Sequence, residues 1–556
     1  MNLMNDTGAP SPPGRTSLIG MDRAELASAL VEMGEPEKGA KLRAKQLWHW
    51  IYHHGAVDFS PMSTLNGALR EALAQAYLNN PTITGQRAQL RATDETVPIT
   101  KADGRPQLGG QGTYQESVDN SNPFSNRQAV AAIDLSVPVY SGGAVKYGVK
   151  AADKRVEAGR ATLRGTESSI FSQTVAAYMN VIRDEAIVRL NRANVGVLTV
   201  NREATGDRFQ IGDLTRTDVA QAEARLAIAT SDLETARSNL IQSKENYIQL
   251  VGEAPDALEP PPPLPNLPET ASAAVEIALD SNPDLIAAHE RRKAAAYDVR
   301  VAQAGRLPRV SAFTQGSYAN FLGSVITPDF TPIGPQNPGQ PNITIPAIPN
   351  SQQNLAVGVR ANLPLYQGGR VPAQVRRAQA LLGQAEEQEI EVERSVIAQV
   401  RASYASWRAS QEVIQASQIA VESNQLALEG VRAENSVGNR TILDILNAEQ
   451  ELLNAQVQLV AARRNAYVAG FSLLAAMGRA EAADLGLDGG IFYDPLDYYE
   501  DVRGRRSDWT SRPDPVPSAT RTVDTEPQAA PIEPLPETIG PEAAARNLYG
   551  PRQPID

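Results

Sequence analysis

Two long tracts of the chain repeat apolar positions three and four apart, and the segment ahead of each alternates apolar and polar residues with a period of two. In the second tract Ile397, Val400, Tyr404 and Trp407 mark the helical spacing. Ahead of it, Leu355, Val357, Val359, Ala361, Leu363 and Leu365 alternate with Asn354, Ala356, Gly358, Arg360 and Asn362. The first copy reads the same way: Ala129, Ala131, Ile133, Leu135 and Val137 alternate with Gln128, Asp134 and Ser136. Residues 107–115 and 309–321 read as weaker strands. Proline is absent from residues 139–254 and 373–494, 116 and 122 consecutive positions. An interior proline costs a helix about 3 kcal/mol, so its exclusion predicts very long helices. The stretch Ala144–Arg208 alone would reach roughly 98 Å at about 1.5 Å per residue, and such a helix needs partners along its flank, as in a coiled coil.

The two tracts are copies. At an offset of 226, Pro138, Tyr140, Gly142 and Gly143 fall on Pro364, Tyr366, Gly368 and Gly369. The same offset carries Gly212, Thr215, Asp218, Ala222 and Glu223 onto Gly438, Thr441, Asp444, Ala448 and Glu449, and Gly252 onto Gly478. Upstream the offset is 202, matching Asn80, Pro81 and Pro106 to Asn282, Pro283 and Pro308, and the difference between the two offsets is an insertion in the second copy. The Pro-, Asn- and Gly-rich stretch Ile326–Asn350 is where it is expected, as a long loop.

Each strand of about ten residues is long enough to cross a bilayer when tilted. Four strands cannot close a barrel, and lipid does not tolerate open edges, so a membrane barrel would have to be built by several chains. On periodicity alone, a soluble pair of hairpins capping a helical bundle stays open as the alternative.

Composition narrows the chemistry. Aromatics are 5% of the 556 residues, too few large side chains to fill several ordinary cores, and there is no cysteine, which removes thiol nucleophiles, disulfides and iron–sulfur clusters. A net charge of -12 argues against general nucleic-acid binding. No run of about 18 apolar residues predicts a transmembrane helix. His289, among Glu290, Arg291 and Arg292, reads as a solvated surface residue, and the cluster Gly109, Gly110, Gly112 lacks the Lys-Ser/Thr of a phosphate loop. No catalytic constellation, metal site or cofactor site is expected.

The duplicated unit of Asn-Pro helix, hairpin ending in Tyr-x-Gly-Gly, very long helix, Gly-x-x-Thr-x-x-Asp turn and return helix resembles the TolC family of outer-membrane efflux proteins over about residues 67–489. The resemblance implies a mainly α fold with a small β part. Duplicated long helices would form an α-barrel or coiled-coil tunnel, and four β-strands per chain would contribute to a trimeric twelve-stranded β-barrel in the cell outer membrane. It implies a homotrimer in contact with outer-membrane lipid, a periplasmic adaptor (membrane fusion) protein, an inner-membrane pump of RND or ABC type, and passive export with no enzymatic step. Cargo, drugs or secreted protein, is left open. Gly212, Thr215, Gly438 and Thr441 shape the turns, which a plain helical hairpin also explains: the glycines suit left-handed C-caps, and Thr215 with Asp218, and Thr441 with Asp444, suit capping of the next helix. By resemblance these turns are adaptor-docking tips, and Asp218, Arg440 and Asp444 hold or line the closed periplasmic aperture. Asn435 and Asn447 depart from the family pattern, where a gating tyrosine and a second aperture aspartate stand, which puts the gate and ion selectivity in question.

Residues 16–66 differ in composition. The segment Leu42–Gly55, with Trp48, His49, Trp50, His53 and His54, resembles the N-terminal accessory region of RlmN-type radical-SAM RNA methyltransferases. Without cysteine the iron–sulfur chemistry of those enzymes is not expected. This fragment stands where a channel would carry a signal peptide, and residues 1–15 show no apolar core of one, so a fusion or gene-model artefact is expected. The expected organisation is 1–15 disordered, 16–66 RlmN-like, 67–254 first repeat, 255–269 proline-rich linker, 270–489 second repeat, and 490–556 an acidic, proline-rich disordered tail. The rivals to an exit duct are a soluble structural coiled-coil protein and a fusion product that is never exported.

Overall fold

The structure, a computed structural model, describes residues 67–117, 127–256, 258–264, 267–324, 349–482, 484–485 and 493–529. The chain divides into two compact units. One comprises residues 1–67 and 261–265; the other, residues 68–260 and 266–556, contains the elements discussed below. The expected segments 1–15 and 16–66, and residues 326–348 of the inserted loop, lie outside the described residues.

The first repeat runs α1 (Gly67–Asn79), α2 (Pro81–Asp94), α3 (Thr96–Ala102), β1 (Gln107–Glu116), β2 (Arg127–Tyr140), α4 (Ala144–Gln210) and α5 (Arg216–Val251). The second runs α6 (Ala271–Ser281), α7 (Pro283–Ala304), β3 (Arg309–Asn320), β4 (Ser351–Asn362), α8 (Arg370–Ser436) and α9 (Ile442–Ala476), and α10 (Pro495–Val502) follows. Helices α4 and α8 are 67 residues each, about 100 Å, and both their ends differ by the offset of the sequence repeat.

The Asn-Pro pairs explain themselves. Asn80 Oδ1 accepts from the Thr82 N–H at the start of α2, while its Nδ2 donates to the Leu250 carbonyl at the end of α5 (3.0 Å). Asn282 repeats this for α7, donating to the Ala476 carbonyl at the end of α9 (2.9 Å). One side chain thus satisfies orphan groups at two helix ends in each repeat. The repeats diverge at Glu95, where α2 ends: Pro98 cannot donate to the Asp94 carbonyl and its ring crowds that turn. Arg300 stands at the matching place, and α7 continues to Ala304.

The long helices pair as α4 with α5 and α8 with α9; α7 packs on both α4 and α8, and α4 on α9. On α5 the buried residues recur every seven positions: Ala222, Ala229, Ala236 and Ser243 alternate with Leu233, Leu240 and Tyr247. On α9, Ala455 and Ala462 alternate with Leu459, Ala466 and Leu473. This is the seam of a left-handed coiled coil, with small residues allowing close approach. The three largest fully buried side chains, Tyr178, Phe171 and Phe471, lie toward the middle of α4 and the end of α9, and Leu69, Leu73, Ile83, Leu90 and Val97 extend the buried set through α1, α2 and α3.

Three expectations are corrected. The strand expected over 355–365 is β4, which starts at Ser351 and stops at Asn362; Pro364 has no N–H for the ladder, and Leu363 and Leu365 lie beyond it, exposed. Pro138 sits within β2 only because the register shifts between Pro138 and Tyr140. The tail expected to be disordered from 490 is ordered in part: α10 packs on α2, with Val502 1% exposed, because Tyr498 and Tyr499 donate their hydroxyls to Glu95 and Asp153 and the Tyr493 ring lies under Arg87, contacts that an average over the acidic, proline-rich tail hides. His289 is not simply solvated. Its Nδ1 lies 2.8 Å from Glu389 Oε1, linking α7 to α8 beside the Arg292–Glu389 ion pair.

Candidate functional site

The four strands form one antiparallel sheet in the order β1-β2-β3-β4. Its register puts Leu108, Leu135, Thr314 and Val357 in one row, Gly110, Ile133, Gly316 and Leu355 in the next, and Val137, Ala312 and Val359 in another, all on one face. The opposite face carries Gln111, Ala132, Ser317 and Asn354, and Gly109, Asp134, Gln315 and Ala356. Much of the aliphatic face is bare: Leu108, Leu355, Val357 and Val359 are each at least 70% exposed. Tyr114 and Tyr318 close one end of this face. At the other end the shift at Pro138 brings Tyr140 opposite Val310 and back onto it. An apolar band bounded by tyrosines, with a polar reverse, has the pattern of a lipid-facing barrel wall. The outer edges of β1 and β4 have no partner strand among the described residues. No helix of the described residues is long and apolar enough to cross a membrane.

Directly below the sheet the chain turns into the long helices through the Gly-Gly pairs. Gly142, Gly143, Gly368 and Gly369 all have positive φ, 64°, 87°, 59° and 80°. Tyr140 and Tyr366 stand exposed just before them.

At the far end, each helical hairpin closes with the same chemistry. Gly212 (φ 83°) and Gly438 (φ 82°) are the left-handed residues expected. Asp213 N–H donates to the Arg208 carbonyl (2.9 Å) and Asn439 N–H to the Glu434 carbonyl (2.9 Å), the outer bonds of two Schellman motifs. Both capping boxes form: Asp218 Oδ2 accepts from the Thr215 N–H (2.9 Å) and hydroxyl (2.7 Å), and Asp444 Oδ2 from the Thr441 N–H (2.9 Å) and hydroxyl (2.8 Å). Hydrogen bonds from Thr215 hold the Asp218 carboxyl below its ordinary range, and those from Thr441, helped by Arg440, do the same for Asp444. Arg440 donates to Glu434 (2.7 Å), a partner the sequence reading missed, and that pairing raises its pKa. Within one chain, among the described residues, no hydrogen bond or ion pair joins Asp218 to Arg440 or Asp444. Arg440 is exposed, and Asp218 and Asp444 are half-buried.

A second polar layer lies behind the tips. Glu449, 6% exposed, accepts from Asn201 Nδ2 on α4 (3.1 Å to each oxygen) and from Arg432 on α8 (3.0 Å). Asn447 accepts from Arg225 on α5 (2.8 Å). These contacts tie the two hairpins together beside the apolar contact of Leu198, Ala229 and Leu446. The sequence repeat paired Glu449 with Glu223, and nothing in it separates them. In the structure Glu223 is more than half exposed and only 3.5 Å from Arg202. No group of His, Asp or Glu among the described residues is placed to hold a metal ion.

Comparison with known proteins agrees with this architecture. The family model described as outer membrane efflux protein matches residues 72–253 and 274–479. The outer membrane efflux protein BepC of Brucella suis biovar 1 (strain 1330) is 32% identical over 443 residues, covering 80% of this chain and 92% of that protein. The crystal structure of the outer membrane protein VceC of Vibrio cholerae superposes with a TM-score of 0.61 at 23% identity, over 74% of this chain and 96% of that one. Residues 16–78 match the N-terminal domain of the ribosomal RNA large subunit methyltransferases, a match that runs on to Leu78 inside α1. There the dual-specificity RNA methyltransferase RlmN of Bradyrhizobium sp. (strain BTAi1) is 50% identical over 66 residues, 16% of that enzyme. With both copies of the family's unit matched over well more than half of its length, and a relative covered almost end to end, the chain belongs to the outer membrane efflux protein family.

Proposed function

We propose that this chain is the outer-membrane exit duct of a tripartite efflux or type I secretion assembly. The observation that carries the reading is the sheet: an aliphatic face left bare, a polar reverse, two edges unpaired among the described residues, and direct continuation into two equal helices of 67 residues. Three copies joined β4 to β1 close a twelve-stranded barrel with no free edge and turn the polar face inward. The exposed apolar residues of α8, Leu381, Ile390, Val413, Ile419 and Leu426, then meet the next copy. Residues 67–254 and 270–489 serve as the two channel repeats, joined by 255–269, and residues 16–66 play no part in conduction.

The duct performs no chemical step. Its work is gating: the tips of α4/α5 and α8/α9 close the periplasmic entrance, and separating them opens it. In the trimer three Asp444 carboxylates, kept ionised by their caps, line that entrance and attract cations, with Asp218 and Arg440 at its rim. A periplasmic adaptor engages the hairpin turns and an RND or ABC pump in the inner membrane supplies the energy; the pump decides whether drugs or protein are the cargo.

The test uses the alternation of β4. Val357→Arg puts a charge in the lipid face at mid-strand, which costs roughly 2 to 4 kcal/mol per chain at the bilayer midplane, whereas Ala356→Arg faces the lumen. The heat-sensitive trimer in the outer-membrane fraction should be lost with Val357→Arg and kept with Ala356→Arg. Equal tolerance of both would refute the barrel.

A further inference from the structure

Residues 493–529 form a strap whose path leads to the foot of the barrel. Tyr493 N–H donates to Tyr77 Oη on α1 (3.0 Å), and Tyr498 Oη to Glu95 at the end of α2 (2.7 Å). Lys101 Nζ on α3 then donates to the Arg503 carbonyl (3.3 Å), and Arg105 to the Arg505 carbonyl (2.6 Å). These contacts advance along the first repeat to within two residues of Gln107, where β1 begins. The strap then turns back: Arg512 pairs with Asp501 and lies over the Tyr498 ring (4.4 Å), Thr520 packs beside Gly252, and Gln528 N–H donates to Glu245 (3.1 Å). The loop 503–512 is therefore the part of the strap nearest the membrane strands.

Its side chains suit that place. Trp509 is 98% exposed. Lys101 and Arg105 spend their donors on main-chain carbonyls, so their charges are not neutralised there, and Arg506 makes no ion pair among the described residues. Asp501 serves two arginines at once, Arg505 and Arg512. Six basic residues thus face three acidic ones, Asp103, Asp501 and Asp508, across 101–105 and 501–512. A bare indole in a segment with more basic groups than carboxylates to pair them, level with the start of an apolar β face, matches the headgroup zone of a bilayer, where the ring is half wet and the cations meet phosphate.

We propose that loop 503–512 is an interfacial anchor that seats Trp509, with Arg505 and Arg506, among anionic phospholipid headgroups of the leaflet at the foot of the barrel. The proposal rests on the barrel reading above. Continuity with the apolar face and charge complementarity argue for lipid over a protein partner.

The test uses the full chain in nanodiscs of mixed phosphatidylglycerol and phosphatidylcholine, with bromine placed high on the acyl chains of one lipid or the other. Trp48→Phe, Trp50→Phe and Trp407→Phe leave Trp509 as the only indole. Its emission should be quenched about twofold more when phosphatidylglycerol carries the bromine, and Arg505→Gln with Arg506→Gln should make the two lipids equivalent. Equal quenching by both lipids in the parent overturns the anionic site. Absence of quenching, including a blue-shifted indole held against a neighbouring subunit, overturns the anchor. A companion protein with Trp509→Phe and Val357→Trp separates the two readings: if its indole on β4 is quenched while Trp509 is not, the barrel stands and the anchor falls, and if neither is quenched the barrel itself falls.

Discussion

Glu449→Gln is the substitution that asks most of the gating argument. The buried carboxylate holds Arg432 on α8 at 3.0 Å and Asn201 on α4 at 3.1 Å, so one side chain binds its own hairpin together and joins it to the other. The glutamine keeps an acceptor for Asn201 but removes the anion facing Arg432. Breaking a fully buried pair costs about 3 to 5 kcal/mol; Arg432 is 37% exposed and water recovers part of that, which leaves roughly 2 kcal/mol. At the tip, where α4 and α8 have few buried residues, that amounts to about a thirtyfold rise in local opening per chain. Hydrogen exchange of the first turns of α9, residues 442–455, should accelerate by that order, and conductance of the trimer in planar bilayers should rise. Glu223→Gln, at the matching place in the first repeat, is the control. Glu223 is 54% exposed with Arg202 at 3.5 Å, so its loss should shift exchange by well under tenfold. The reasoning fails if Glu449→Gln exchanges and conducts like the parent, or if both substitutions behave alike.

Three other outcomes can be checked on stability alone. Burial pushes the Asp94 carboxyl up to about 6 and the Glu167 carboxyl up to about 7, so the native state retains protons that the unfolded chain has released, and stability falls as pH rises from about 4 through about 7. Asp94→Asn with Glu167→Gln should therefore stabilise the chain at pH 8, by up to about 3 kcal/mol per site, and lose that advantage by pH 4.5 in denaturant titrations; an unchanged gap would contradict it. Gly478→Ala drives a Cβ into the Ser281 carbonyl at φ 72°, whereas at Gly252 the obstacle is the Thr520 side chain, which can rotate away, so the thermal midpoint should drop further for Gly478→Ala. Thr441→Ala removes a capping box and should cost about 1 kcal/mol, seen as faster exchange confined to the start of α9; a loss spread over the whole helix would mean that Thr441 does more than cap.

What the sequence revealed follows from the range of the physics. Helix ends, caps and strand faces are local: the Asn-Pro pairs, the Gly-x-x-Thr-x-x-Asp turns and the alternation of Leu355, Val357 and Val359 each carry their cause within a few residues, and the structure forms them close to where they are expected. Contacts between distant segments left no such trace. The pairing of β2 with β3 sets Ala129 opposite Asn320, strands that belong to different repeats, and the coiled-coil register is spread over seams in which alanine is common on every face. The strap failed for a different reason. Disorder follows from composition averaged over the whole acidic, proline-rich tail, and three tyrosines, two of them hydrogen-bonded through their hydroxyls and the third under Arg87, override that average for one stretch of it. The divergence of Glu449 from Glu223 sharpens the point. A tandem repeat preserves residue types, but a chain that packs its two copies side by side gives them different neighbours: α4 and α8 reach Glu449, while Glu223 meets only Arg202 of its own hairpin. Duplication therefore fixes the scaffold twice and the contacts once. Asymmetry between the repeats separates their roles: a change at Glu449 acts on both hairpins, and the same change at Glu223 acts on its own hairpin alone.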